Sequence, residues 1–287
     1  TGAHGPGTTG RMRSLSAGWP AILQRVLNAR HVILCCDFDG TLAPIANRPS
    51  QAHLPTGTKR LLEQLAGLPG FRVALVSGRA LADLKRLVGL SRVTYVGNHG
   101  LEAKGPGLSF LHPQARRLRH TLHRLSRKLA QALRKIPGAS VEWKGLTASL
   151  HWRNVPRPAQ RRFHRLVKEL TAPYTERGTI RLTHGKRVVE IHPRVDWDKG
   201  RVLEWLLNRL SGRHRSWEAC VLYVGDDRTD EDAFKVINHL GGLSVLVGRQ
   251  STRTAARYWL KDPHEVQRWL VDLYHVRMLL NATEGGS

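Results

Sequence analysis

Long apolar runs are missing from this chain of 287 residues, and none approaches the ~20 that a membrane-spanning helix requires. Cysteine is scarce: Cys35, Cys36 and Cys220 are the only three. Each lies inside an apolar, strand-like run, so small buried thiols are expected rather than a disulfide or a metal cluster. That usage suits a reducing, cytoplasmic setting. Residues 1–20 are rich in Gly, Ser and Thr and contain no apolar stretch of the signal-peptide kind, so they are expected to form a flexible tail. There is no internal repeat. Hydrophobic residues nonetheless make up 41% of the chain, enough for a large buried core.

Acids are also few, 22 against 46 Lys and Arg, which leaves a formal charge of +24. The excess is concentrated. Residues 111–170 hold fifteen Lys and Arg and two acids, Glu142 and Glu169. Such a block can mark nucleic-acid binding. Its first part, however, places Leu118, Leu122, Leu125, Leu129, Leu133 and Ile136 at helical three-to-four spacing. That pattern predicts an amphipathic helix with a solvated basic face. No aromatic residues interleave to stack on bases, so specific nucleic-acid recognition is not expected. A field of this sign would still draw in anionic substrates.

Apolar strands alternate with amphipathic helices from residue 21 to about 103, and the same grammar returns from 195 to 280. Continuous apolar strands separated by helices predict a parallel sheet covered on both faces, an α/β core. The middle differs. "SVEWKG", "TASLHWRN", "TIRLTHG" and "RVVEIHP" are short, alternating and punctuated by Gly and Pro, as in an antiparallel sheet, with a helix near 158–170 among them. The expectation is a parallel-sheet core (21–103 and 195–280) interrupted by a smaller α+β insert (104–194), with a terminal tail at 281–287. Hinges are expected near Gly105 to Gly107 and Pro193 to Val195.

Four strand ends or helix starts carry chemistry. "ILCCDFDGTLAPI" ends an apolar strand in Asp37 and Asp39, followed by Gly40 and Thr41. The next strand ends in Ser77-Gly78-Arg79, Lys199 opens a helix in "DWDKG", and "GDDRTDED" sets Asp226, Asp227 and Asp230 after "CVLYV". In an open parallel sheet, ligands bind beyond the carboxyl ends of the strands, so these groups are expected to converge. A hard divalent cation with oxygen ligands would neutralise clustered carboxylates. The set suits phosphoryl transfer: a carboxylate nucleophile, a second carboxylate as general acid/base, and cationic and hydroxyl groups on the transferring phosphoryl. Acids at strand-to-helix turns also cap helices, a role open to Asp230.

In order, "DFDGT", a strand-terminal Ser, a Lys before Gly and "GDDRTDED" resemble the four motifs of haloacid dehalogenase-type phosphatases. The resemblance implies a Rossmann-like haloacid dehalogenase core with an inserted α+β cap. It makes Asp37 the nucleophile and Asp39 the general acid/base. Ser77 and Lys199 would bind the phosphoryl group, with Thr41, Gly78 and Arg79 in support. Mg²⁺ would lie on Asp37, the Asp39 carbonyl and Asp226, with Asp227 and Asp230 as supporting carboxylates.

"DFDGTLAPI", "VSGR", "GNHGLE" and "VGDDRTDEDAF" further resemble the trehalose-phosphatase family, and "VEWKGLTASLHWRN" resembles its cap segment. The implied substrate is trehalose 6-phosphate, bound by Glu142, Lys144, His151, Arg153 and Glu190 from the cap and Asn98, His99 and Glu102 from the core. Polar residues on a strand face are also commonly just solvated. The family's "VRP" before the lysine motif is replaced here by Ile191-His192-Pro193, which leaves the role of His192 open. Alternatives are a phosphatase of another sugar phosphate (glucosyl- or mannosyl-3-phosphoglycerate, sucrose 6-phosphate) and a non-catalytic basic binding module. The expected state is a monomer with no membrane partner, working in a pathway with a trehalose-6-phosphate synthase.

Overall fold

The computed structural model describes residues 12–46, 51–185, 187–210, 219–251 and 253–284. Its larger unit is a nine-stranded sheet. The strands are β1 (Arg13–Ser14), β2 (His31–Cys36), β3 (Phe71–Val76), β4 (Thr94–Gly97), β5 (Glu102–Gly105), β6 (Leu108–Leu111), β11 (Ala219–Gly225), β12 (Leu243–Val247) and β13 (Tyr258–Leu260). The spatial order is β1-β13-β12-β11-β2-β3-β4-β5-β6. All neighbours are parallel except the β4–β5 and β5–β6 pairs. The central strand β2 is buried along five of its six residues, as a continuous apolar run in a doubly covered sheet must be.

One face of this sheet is covered by α1 (Leu15–Asn28), α2 (Thr56–Gly67), α3 (Leu81–Val88) and α8 (Pro263–Glu284). The other face is covered by α6 (Lys199–Leu210) and α7 (Glu231–His239). Helix α3 stops where its periodicity predicted, because Gly89 takes the left-handed conformation (φ 66°) that closes a helix end.

The remaining strands, β7 (Ser140–Trp143), β8 (Ala148–His151), β9 (Ile180–Gly185) and β10 (Val188–Pro193), form a separate antiparallel sheet in the order β7-β8-β10-β9. Helices α4 (Pro113–Leu133) and α5 (Arg157–Glu176) cover one face of it. The predicted stripe of α4 is the buried one: Leu122, Leu125, Leu129 and Leu133 pack on Leu150, Val189 and Ile191. Its basic face is exposed, including Arg116, Arg117, Arg124, Arg127 and Lys128.

Three expected boundaries differ from the structure. Residues 12–20, expected in the flexible tail, are ordered. Met12 is buried, β1 pairs with β13, and Ser14 caps α1 by accepting from the Ala17 amide at 3.3 Å. The insert boundary expected at 104 falls inside the β5–β6 hairpin, whose strands extend the large sheet, so the cap unit begins at α4. The C-terminal helix runs on to Glu284, past the expected end at 280. Residues 1–11 and 285–287 lie outside the described residues.

Candidate active site

The parallel order β11-β2-β3-β4 brings the carboxyl ends of four adjacent strands to one rim of the sheet. Each end delivers polar groups: Asp226, Asp227 and Asp230 after β11, Asp37 and Asp39 after β2, Ser77 to Arg79 after β3, and His99 after β4. The first residue of α6, Lys199, reaches the same place. Above the rim lies a cleft of about 1030 Å³, walled on the far side by the antiparallel sheet of the cap.

Lys199 is 3% exposed and lies between two carboxylates, donating to Asp37 Oδ1 and Asp230 Oδ1 at 2.8 Å each. Burial alone would lower its pKa, but the charges of Asp230 and Asp37 outweigh burial and raise it. It therefore stays an ammonium. Asp230 has no exposed surface. Its Oδ1 also accepts from Tyr223 Oη at 2.6 Å, and its Oδ2 accepts the backbone N–H groups of Asp226 and Asp227 at 3.1 Å. Asp227 accepts the Thr229 amide at 2.8 Å, and it forms a capping box with Asp230 in which each side chain accepts the other's backbone N–H. Asp227 is thus the capping carboxylate, on the turn Arg228–Asp230, while Asp230, expected as a cap of α7, makes no side-chain cap bond to that helix and supports the site instead.

Asp37 and Asp226 remain short of positive charge. Burial pushes the Asp37 carboxyl well up; Lys199 opposes this while Asp230 and Asp226 add to it. Asp226 is pushed up to about 8 by burial and by the charges of Asp227 and Asp230. Two buried carboxylates and the half-buried Asp226 share one ammonium, and an oxygen-preferring divalent cation is the group that such a donor set fits. Asp37 and Asp226 offer oxygens for it. Gly40, at φ 90°, makes room: a Cβ there would stand 2.1 Å from Asp226 Oδ2. Thr41 is buried and donates to Asp226 Oδ1 at 3.5 Å.

Asp39 is differently placed. Both of its oxygens accept from Arg79, Oδ2 from Nε at 2.6 Å and Oδ1 from Nη2 at 2.7 Å. The fork geometry of the guanidinium suits this pairing. Asp83 holds the same guanidinium at 2.9 Å, and the Phe38 ring lies 5.5 Å from it. Ser77 is buried, its Oγ accepting the Arg79 amide at 3.2 Å.

Across the cleft, cap register decides which side chains face the core. Glu142, Ser149, Glu190 and Thr183 are direct neighbours across β7, β8, β10 and β9, so they share one face. Lys144 and His151 join them in lining the cleft. Glu142 Oε2 lies 3.0 Å from His151 Nε2, which holds the Glu142 carboxyl below its ordinary range against the effect of burial. Glu190 Oε1 accepts from Lys144 Nζ at 3.2 Å and Ser149 Oγ at 3.1 Å.

Three expected site residues are not at the cleft. Asn98 is fully buried, with φ 50°, and its amide is spent on other partners. It donates to Glu102 Oε1 (2.6 Å) and to the Lys144 carbonyl (2.8 Å), and accepts from Thr147 Oγ1 (2.6 Å). Glu102 also accepts the Leu81 amide at 3.0 Å, satisfying the first turn of α3, whose preceding residue, Ala80, has no capping side chain. Arg153 is exposed, two residues beyond the end of β8. Conversely, Arg181, Thr183 and His192 line the cleft and were not selected as binding residues. The alternation Arg181-Leu182-Thr183 was visible, but which face met the core was not.

The sequence model of the family described as trehalose-phosphatase matches residues 35–264. The chain belongs to the trehalose-phosphatase family. Within it, the chain is 36% identical over 248 residues to a rice (Oryza sativa subsp. japonica) protein named "Probable trehalose-phosphate phosphatase 4", covering 85% of this chain and 66% of that one. It is 33% identical to trehalose 6-phosphate phosphatase RA3 of Zea mays, covering 84% and 69%. The chain thus spans about two-thirds of the length of these curated relatives. Among solved structures, the C-terminal domain of C. albicans trehalose-6-phosphate phosphatase superposes with a TM-score of 0.75 at 23% identity, covering 92% of this chain and 99% of that one. A haloacid dehalogenase-like hydrolase from Bacteroides thetaiotaomicron shares the fold at a TM-score of 0.57 and 14% identity.

Proposed function

We propose that this member of the trehalose-phosphatase family hydrolyses trehalose 6-phosphate to trehalose and inorganic phosphate. The observation that carries the reading is the pinning of Asp37 by Lys199 at the floor of a cleft whose opposite wall is the polar face of the cap sheet. Only a substrate with a phosphoryl group at one end and many hydroxyls at the other uses both walls. The relatives' names supply the sugar.

In this reading Asp37 Oδ2 attacks phosphorus, and the bond from phosphorus to the sugar oxygen breaks. Asp39, released from Arg79 and protonated from solvent as substrate enters, gives that proton to the leaving oxygen. The resulting aspartyl phosphate is hydrolysed by a water whose proton Asp39 takes back. Lys199 and Ser77 balance and orient the phosphoryl oxygens. Mg²⁺, held by Asp37 and Asp226, supplies charge neutralisation at those oxygens when bound. Glu142, Lys144, His151 and Glu190 hydrogen-bond the sugar, so a sugar lacking a hydroxyl leaves a buried polar group unpaired and is rejected.

The test is phosphate release in Mg²⁺ from trehalose 6-phosphate, sucrose 6-phosphate, glucose 6-phosphate and the glucosyl- and mannosyl-3-phosphoglycerates. Asp37→Asn serves as the blank. The expected outcome is a strong preference for trehalose 6-phosphate, lowered at least ~10³-fold in the variant, a loss on the scale of removing a covalent nucleophile. Preference for another sugar would overturn the substrate assignment, and activity surviving in Asp37→Asn would overturn the aspartyl chemistry.

A further inference from the structure

The far side of the cap carries a feature that the cleft does not use. Helices α4 and α5 pack together on the face of the cap sheet opposite the cleft. Their outward sides are strongly basic. On α4, Arg116, Arg117, Arg119, Arg124, Arg127 and Lys128 are exposed, and no acid occurs between Leu111 and Val141. On α5, Arg157, Arg161, Arg162 and Lys168 are exposed as well. Among the described residues, Arg165 with Glu169, at 3.8 Å, is the only ion pair on either helix.

Such a face works against the helices that carry it. Arg124 stands one turn from Arg127 and Lys128, and Arg161 one turn from Arg165, where like charges oppose helix formation. Substrate steering does not account for the cost. One helix layer is about 10 Å thick, and physiological salt screens charges over about 8 Å. The back of the cap therefore adds little to the field at the cleft.

Composition selects among anionic partners. The apolar side of α4 is turned inward onto Leu150, Val189 and Ile191, so none is left to lie in a bilayer. No large hydrophobic side chain is exposed on the described residues of either helix, so the apolar centre of a protein–protein interface is missing. Arginine outnumbers lysine, and its planar fork pairs with phosphate oxygens. The 21 residues of α4 make a rod of about 31 Å. That is nearly the roughly 34 Å of one duplex turn.

We infer that the outer face of α4 and α5 binds double-stranded nucleic acid through its phosphate backbone, without reading sequence. No Phe, Tyr or Trp is exposed on either helix to stack on bases.

The experiment is fluorescence anisotropy of labelled DNA and RNA duplexes of unrelated sequences, titrated with the full chain. Duplexes of one kind should bind alike, with affinity falling at least ~10²-fold between about 50 and 200 mM salt, as for about four neutralised phosphates. The DNA and RNA arms tell the two sources apart. Replacing Arg117, Arg124, Arg127 and Lys128 together by Gln keeps the helix propensity. It should weaken binding at least ~10-fold at about 0.1 M salt and lower the salt slope by about 2 or more. Arg161→Gln with Arg162→Gln should act in the same direction. Replacing Arg60, Arg72, Lys85 and Arg92 by Gln removes the same charge from the core and should leave binding within about 3-fold of wild type. Equal losses in the two four-residue sets would assign the binding to net charge and overturn the proposal. So would a strong sequence preference, or no binding at the lowest salt. Tighter binding at matched salt to polyglutamate, or to vesicles of equal parts phosphatidylserine and phosphatidylcholine, would overturn it too. None of these readouts depends on the phosphatase reading.

Discussion

Asp230 accepts four hydrogen bonds, from the buried Lys199 and Tyr223 and from the amides of Asp226 and Asp227. An asparagine keeps the shape but must turn an NH₂ group toward donors at one of its two ends. Asp230→Asn should therefore destabilise the fold by about 3–5 kcal/mol, the cost of breaking a buried ion pair from one side. Urea unfolding midpoints measure it, and a loss of less than about 1 kcal/mol would show that the Lys199 pair does not depend on the Asp230 charge. Of the two roles open for this residue at the level of sequence, the cap of α7 is not taken: its side chain makes no capping bond to that helix and instead holds Lys199 and the Asp226 and Asp227 amides. Arg79 teaches a similar lesson. Its place after Ser77-Gly78 was legible, yet its bidentate grip on Asp39 required β2 and β3 to be neighbours.

The turn between β7 and β8 is tied to the core chiefly through hydrogen bonds of Asn98. Asn98 takes the Lys144 carbonyl and the Thr147 hydroxyl, and Lys144 Nζ reaches the Gly78 carbonyl at 3.4 Å. Asn98→Ala leaves these groups and Glu102 without their partner, a cost of about 1–3 kcal/mol. The expected result is faster amide exchange in residues 144–147 and a raised KM, with the phosphate chemistry on Asp37 retained. A kcat loss without a KM change would mean that Asn98 acts at the phosphoryl group instead. Alternation alone identified β7 to β10 as strands with one polar face. Whether that face looked at solvent or at the cleft depended on α4 and α5 covering the opposite side.

At the scale of the whole molecule, the three cysteines are free and buried, and their thiols are shifted upward. Burial moves Cys35 from 9.0 to about 12 and Cys220 to about 11. Native protein at pH 8 should therefore resist thiol alkylation, while denatured protein should react at all three positions, counted by mass spectrometry. The sign of the pH effect follows. Below pH 9 the thiols are protonated in both states and contribute no pH dependence. Between pH 9 and about 12 the unfolded chain loses protons that the folded chain keeps, so stability falls as pH rises. Urea midpoints should drop between pH 8.5 and pH 10.5, an interval (about 8.5–10.5) chosen to straddle the ordinary thiol range. A serine at each of the three positions should flatten that slope. A slope unchanged by the serines would place it elsewhere.

What the sequence by itself determined was the set of groups at the strand ends and the order in which they occur. Parallel strands joined by helices must deliver their carboxyl ends to one rim, so Asp37, Ser77, Lys199 and Asp226 could be brought together on paper. The two-fold alternation likewise marked the cap as antiparallel. Only the tertiary structure decided the rest, because a one-residue change of register turns every side chain of a strand to the opposite face. That is why Thr183 and Arg181 entered the cleft unforeseen and Arg153 remained outside it. It is also why a two-residue strand, Arg13–Ser14, could dock on β13 from a stretch whose composition suggested a loose tail: its partner lies some 240 residues away, and no local pattern records a contact of that range.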